Sequence, residues 1–230
     1  MKTKNLSKYL FIGLLSIGLY TFYLLQITQI VFAAPTSSFT QTINPGTLAV
    51  DIVNAGYTPV ASPTVAMTPV TFNFACQSST GTFGTATEQI YVQNPDAADD
   101  GWSISIAASA PTAVWDSAGE DFDFNDPGSS GCVDDTDADS LGGQLTVNPV
   151  GGTIATGSCS SCSTNNITKG SSSAFVEGSV NSITLLTGAS GSDDIGAWTL
   201  QGVALSQAIP GEQPAASDYS ISLTVTIAAL

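Results

Sequence analysis

Apolar and polar residues alternate most regularly at the C-terminal end of the chain. Tyr219, Ile221, Leu223, Val225 and Ile227 fall on one side of an extended backbone, and Ser220, Ser222, Thr224 and Thr226 on the other. A period of two in β-branched residues, without Gly or Pro, predicts a half-buried strand over Asp218–Leu230. Such a strand needs a sheet beside it and a second layer over its apolar face. The upstream pattern offers both. Strands are expected at Gly46–Val53, Val70–Cys76, Phe83–Val92, Trp102–Ala107 and Ala197–Leu205. Shorter ones are expected at Val114–Trp115, Leu145–Val147, Thr153–Ala155, Ala174–Val176 and Ile183–Leu186. Gln77–Thr82 reads as a turn, and Tyr57–Met67, interrupted by Pro59 and Pro63, as an edge or a connection between sheets.

Beyond the first thirty-odd residues no stretch shows a helical stripe. About ten short strands separated by Gly, Pro, Asn and Asp turns predict an all-β, antiparallel β-sandwich, with a loosely closed barrel as the alternative. The expected core is Phe72, Phe74, Ile90, Val92, Ile104, Leu145, Leu185, Trp198, Leu200, Leu223 and Val225.

The N-terminal end has a different pattern. Lys2, Lys4 and Lys8 precede an apolar run from Tyr9 to Leu25, and Val31-Phe32-Ala33-Ala34 follows. A basic start, an apolar middle and small residues at the cut describe a secretory signal over residues 1–33; an uncleaved signal anchor is the alternative. Residues 34–46 then form a Ser/Thr-rich arm, and 47–230 the sandwich domain. Beyond residue 33, 19 acidic residues face one basic one, Lys169. That balance excludes nucleic acid as a partner and leaves membrane contact to the N-terminal segment alone.

An exported chain with four cysteines, Cys76, Cys132, Cys159 and Cys162, is expected to form disulfides. The preferred pairing is Cys159–Cys162 as a local clip and Cys76–Cys132 as a long-range tie; a four-thiolate zinc site is the rival. Acids concentrate in the irregular stretch 116–143. Asp123, Asp126, Asp134, Asp135, Asp137 and Asp139 are the candidate ligands there, and hard oxygen donors at this density suit calcium. The stretch is not an EF-hand loop, since Ser140 and Thr146 stand where Gly and a bidentate Glu are required. The alternative is a solvated acidic loop that keeps the surface soluble. Trp115, Phe122 and Phe124, interleaved with these acids, could stack on a sugar or anchor the edge of the core.

Two segments echo each other. Ile90-Tyr91-Val92 leads through an acidic turn into Trp102-Ser103-Ile104, and Ile183-Thr184-Leu185-Leu186 leads through another into Trp198-Thr199-Leu200. Each reads as a hairpin whose Trp and the residue two further on share a face. These Trp-x-aliphatic motifs resemble the paired Trp-x-Leu motifs of the WxL surface domains of Gram-positive bacteria, over residues 83–230. The closing strand carries Val225 where that family has Trp, and the cysteines are foreign to its pattern. The resemblance implies an exported β-sandwich that attaches non-covalently to cell-wall polymer and joins surface assemblies. Thr42-Ile43-Asn44-Pro45-Gly46-Thr47-Leu48 is in turn similar to the opening strand of the TasA and camelysin fibre-forming proteins. That likeness implies matrix fibres in which one subunit's N-terminal arm adds a strand to the next.

The chain has no His and no Arg, which removes Ser-His and Cys-His pairs and a histidine-based catalytic zinc. No pair of carboxylates is singled out as a glycosidase would need. The expectation is a non-enzymatic protein, secreted or held at the cell surface. Its role would be structural or adhesive, with cell-wall polymer, another surface protein or its own copies in fibres as partner. A calcium-dependent glycan-binding or wall-binding module is the alternative.

Overall fold

The computed structural model describes residues 3–26, 38–96, 100–135, 139–191 and 195–230. The chain divides into two compact units, Met1–Ile43 and Asn44–Leu230. In the first, α1 (Thr3–Gln26) is a helix of 24 residues. No helix among the described residues is long and apolar enough to cross a membrane. Residues 38–43 carry no regular structure, and Phe39 and Ile43 are 94% and 89% exposed.

The second unit is all β. Its strands are β1 (Ala49–Val53), β2 (Gln77–Phe83), β3 (Gln89–Asn94), β4 (Trp102–Ala108), β5 (Val114–Trp115), β6 (Phe122–Asp123) and β7 (Gln144–Asn148). They continue as β8 (Thr153–Thr156), β9 (Ile167–Lys169), β10 (Ser173–Ala174), β11 (Ser182–Gly188), β12 (Gly196–Gln201), β13 (Val203–Ile209) and β14 (Leu223–Ala229). Three four-stranded antiparallel sheets run β1-β3-β12-β8, β10-β7-β13-β2 and β14-β4-β11-β9, and β5 and β6 form a small ribbon. One core draws on all three large sheets: Ile90 and Leu200 from the first, Leu145 and Val203 from the second, Ile104 and Leu185 from the third. This is the sandwich the alternation predicts, with fourteen strands among the described residues in place of about ten because several have only two to four residues.

The alternation sets the register. In β4, Trp102, Ile104 and Ile106 are buried while Ser103 and Ser105 face out. β14 lies against it with Val225 opposite Ile106 and Ile227 opposite Ile104, so apolar meets apolar on one face. The closing strand is shorter than expected, starting at Leu223, and it is an edge strand that leaves Leu223 and Val225 only half-buried.

Four expected elements are placed differently. The single strands expected at Phe83–Val92 and Ala197–Leu205 each divide in two. Gly84 and Gly202, at φ +80° and +76°, break the extended runs, and Gly202 N–H donates to the Gly84 carbonyl at 2.8 Å. The chain thereby passes from one sheet into another at both points. Val70–Cys76 is not a strand, and Phe72 and Phe74 are 47% and 78% exposed, outside the core. Pro69 has no N–H to extend the short pairing that Met67 and Thr68 make with β2. A bend at Phe74 and Ala75, closed by Ala75 N–H on the Asn73 side chain at 2.9 Å, then turns the chain into β2. β2 occupies the stretch expected to be a turn, and pairs with β13 along its whole length.

The two echoing segments are not hairpins. β3 pairs with β12 and β4 with β11, so the first segment crosses from the first sheet to the third, and the second crosses back. The exchange brings Trp102 and Trp198 together, fully buried, with ring centroids 5.4 Å apart. The outward face of the first sheet is covered too: Val53, Tyr91 and Ala197 form a second small cluster under Cys159, and Tyr57 stacks on Tyr91 at 5.3 Å.

Candidate functional site

The acidic stretch is folded by its own carboxylates. Asp126 is buried; one oxygen accepts the N–H of Gly128 at 2.8 Å and the other that of Asp135 at 3.0 Å. Its own N–H donates to Gly143, and that of Asp123 to Gly142. The Asp123 carboxylate accepts the N–H of Phe124 at 2.6 Å. Gly143, at φ +141°, packs on the Asp123 backbone so closely that any Cβ would overlap the Asp123 carbonyl. Asp139 is exposed and accepts the N–H of Leu141, Asp134 is half-buried, and Asp135 is exposed. Asp137 lies outside the described residues. Asp126 and Asp135 are thus brought together through a backbone amide. Among the described residues no three acidic, Cys or His side chains gather into a metal-holding group.

Both expected disulfides are present. Cys76–Cys132 ties the end of the irregular Val70–Cys76 segment to the acidic loop, and Cys159–Cys162 closes the Ser/Cys loop, with Cα atoms 5.4 and 5.7 Å apart. No free cysteine is left for zinc. Lys169, the lone base of the second unit, donates from Nζ to the carbonyls of Val150 and Gly152.

The aromatics expected to offer a stacking face are mostly enclosed. Phe122 and Phe124 are buried, Phe124 against Phe175 at 5.1 Å. Trp115 is half-buried, lies parallel to Phe122 at 5.7 Å, and donates from Nε1 to Gln207 at 2.8 Å. Both its neighbours hold it as a wall of the core.

Two apolar grooves escape notice in the sequence. The first, about 540 Å³, runs between the edge strands β1 and β14 and is lined by Val50, Ile52, Met67, Trp115, Leu223 and Val225, with Asp51 and Glu88 also on its wall. The second, about 420 Å³, shares Met67, Trp115 and Tyr219 with it and continues between Val70 and Phe72 on one side and Pro214 and Ala215 on the other. No acidic or basic residue lines the second groove. Its long polar side chains bond within the wall: Gln213 donates to the Asp121 carbonyl and to Tyr219, and Tyr219 to the Pro214 carbonyl. The 116–118 loop closes over this region through paired backbone bonds between Asp116 and Ser220. Asp218 clips the loop further. The Ala118 N–H first, and the Ser117 hydroxyl second, hold its carboxyl below the usual aspartate range. Alternation predicts β1 and β14 as strands, but that both become edges depends on pairings far apart in the chain.

Compared with protein-family models, curated proteins and solved structures, the chain matches none.

Proposed function

We propose that this protein is an exported, non-enzymatic component of the cell surface or extracellular matrix, which works by touching its neighbours and not by turnover. What supports the reading is the unguarded edge of β14. Seven residues without a charge or Pro present unpaired backbone groups beside an apolar groove that β1, another edge, closes from the far side. Natural edge strands are usually blunted by Lys, Pro or a bulge, because an open edge takes up a further strand. The arm at 34–46, with Phe39 and Ile43 in solvent, is the donor this reading assigns, one copy to the next.

The test is light scattering and electron microscopy of the chain with and without residues 34–46. Assemblies that disappear with the arm support the proposal; monodisperse monomers at high concentration, calcium included, remove it. A second reading, calcium-dependent attachment to wall glycan, draws on the exposed Asp135 and Asp139 of the acidic stretch that the Cys76–Cys132 bridge anchors. In the same experiment a chelator that changes neither wall retention nor melting leaves the loop as a solvated face.

A further inference from the structure

We infer that the apolar groove between Val70 and Phe72 on one side and Pro214 and Ala215 on the other is a docking site for a segment of another protein, one whose apolar side chains are flanked by Lys or Arg. This neighbour is distinct from the copy that accepts the arm, and its docking stands whether or not the arm is donated. The walls suit apolar side chains. Met67, Phe72, Trp115 and Tyr219 line them, and aromatic residues and Met are enriched where proteins meet. Val70 and Phe72 are 41% and 47% exposed, so their wall faces solvent. Single exposed apolar residues are ordinary, but a contiguous patch marks a place of contact.

The polar donors of the walls are already engaged. Gln207 Nε2 donates to the carbonyls of Asp123 and Ala208, Gln213 Nε2 to the Asp121 carbonyl and to Tyr219, and the Ser79 hydroxyl to the Thr68 carbonyl. A sugar gains little by exchanging these bonds for its own, whereas an apolar side chain needs none of them.

Acids stand around the groove. Glu212 and Asp218, both exposed, lie at the two ends of the loop that carries Pro214 and Ala215. The Glu212 N–H donates to the Asn73 carbonyl at 2.8 Å, so this acid sits where the two walls meet. The Cys76–Cys132 bridge brings the stretch of Asp134 and Asp135 to the end of the facing segment. No basic residue lines the groove, and Lys169, the one base of this unit, is held on the Val150 and Gly152 carbonyls. An apolar floor inside an acidic rim is met best by the opposite pattern, apolar residues beside cationic ones. A second copy brings nineteen acids and one base beyond residue 33, and is repelled. Both walls are set before contact, one by Thr68 N–H on the Thr80 carbonyl, the other by Asp218 on the Ala118 N–H and the Ser117 hydroxyl. Little ordering entropy is then lost on binding.

The test is titration of the full chain with short labelled synthetic peptides, read by fluorescence anisotropy. One peptide alternates Leu with Lys, one Ser with Lys, and one Leu with Glu. The Leu-Lys peptide is expected to bind about tenfold tighter than either of the others. Phe72→Ser keeps every charge and removes part of one wall, and Ala215→Trp fills the groove from the other. Each is expected to lower Leu-Lys binding to the Ser-Lys level, while Val150→Ser, exposed in a distant turn, leaves it unchanged. Glu212→Gln together with Asp218→Asn is expected to weaken it about tenfold and to flatten its salt dependence. Equal binding of the Leu-Lys and Ser-Lys peptides, or Leu-Lys binding that survives both wall variants, means attraction to the acidic surface alone and overturns the inference. Equal binding of the Leu-Glu peptide overturns it too. Sedimentation without peptide covers the remaining occupant: self-association that is lost in Phe72→Ser gives the groove to a second copy and also overturns it. Deleting residues 34–46 separates this contact from strand donation by the arm, since peptide binding is expected to survive that deletion.

Discussion

Val70–Cys76 and Gln77–Phe83 are adjacent in the chain and opposite in their surroundings. The first carries two phenylalanines into solvent and joins no sheet. The second carries Ser79 and Gly81 inward, has one large apolar residue, Phe83, and pairs with β13 over seven residues. Apolar content does not separate them; the availability of a partner does. β13 offers β2 a full edge, and small inward residues leave room for Met67 to lie across it. Pro69 and the bend at Phe74 deny the preceding segment the same opportunity. A strand is thus settled by what lies opposite, and side chains that find nothing opposite stay on the surface.

Breaking the tie between the first segment and the acidic loop should have the largest effect. Replacing Cys76 and Cys132 together by Ser is expected to cost about 2–4 kcal/mol in denaturant unfolding, as for a bridge spanning 56 residues. Hydrogen exchange should rise along 70–76 while β2 stays protected. The next effect sharpens the contrast within β2. A Cβ at Gly81 would sit 2.5 Å from Met67 Sδ, so Gly81→Leu should destabilise by roughly 1–3 kcal/mol. Phe74→Ser should change the melting free energy by no more than about 0.5 kcal/mol, although Phe is the larger residue. Equal losses in these two variants would mean that Phe74 is not on the surface.

The smallest effect concerns the clip over the grooves. The Asp218 carboxyl is held below its ordinary value of 3.8, so its contribution is present at neutral pH and is lost as pH falls below 3.8 through the folded value. Asp218→Asn should therefore melt slightly lower than the unaltered chain at neutral pH and converge with it in acid. Because the group is fully exposed, the gap should also shrink with salt.

Much of this fold was legible where each residue's role depends on its own neighbours in the chain. Trp102-Ser103-Ile104 and Leu223-Thr224-Val225 alternate, and they sit in strands with the expected faces. The four cysteines paired as the sequence reading preferred. The failures lie where a distant partner decides. Nothing local to Ala197–Leu205 tells that Gly202 moves the chain to another sheet, since a glycine in a strand pattern is compatible with several outcomes. The two tryptophan motifs read as separate hairpins because strand pairing is non-local, and only the crossing of β3, β4, β11 and β12 brings their rings together. In the acidic stretch, composition gave the number of carboxylates. That Asp126 would turn inward and spend both oxygens on backbone amides depends on the path of the loop.

The scarcity of basic residues has a consequence for proteolysis. Proteases of the trypsin class cut after Lys or Arg, and beyond Lys8 this chain offers them one bond, Lys169–Gly170. The ammonium of Lys169 is already held on two carbonyls, and Gly170 lies so tightly on Thr184 that a Cβ there would overlap its carbonyl oxygen. A digesting enzyme would have to lift β9 off β11 before it could reach this bond. The same composition that strips the domain of cationic chemistry leaves proteases of this class a single site in it.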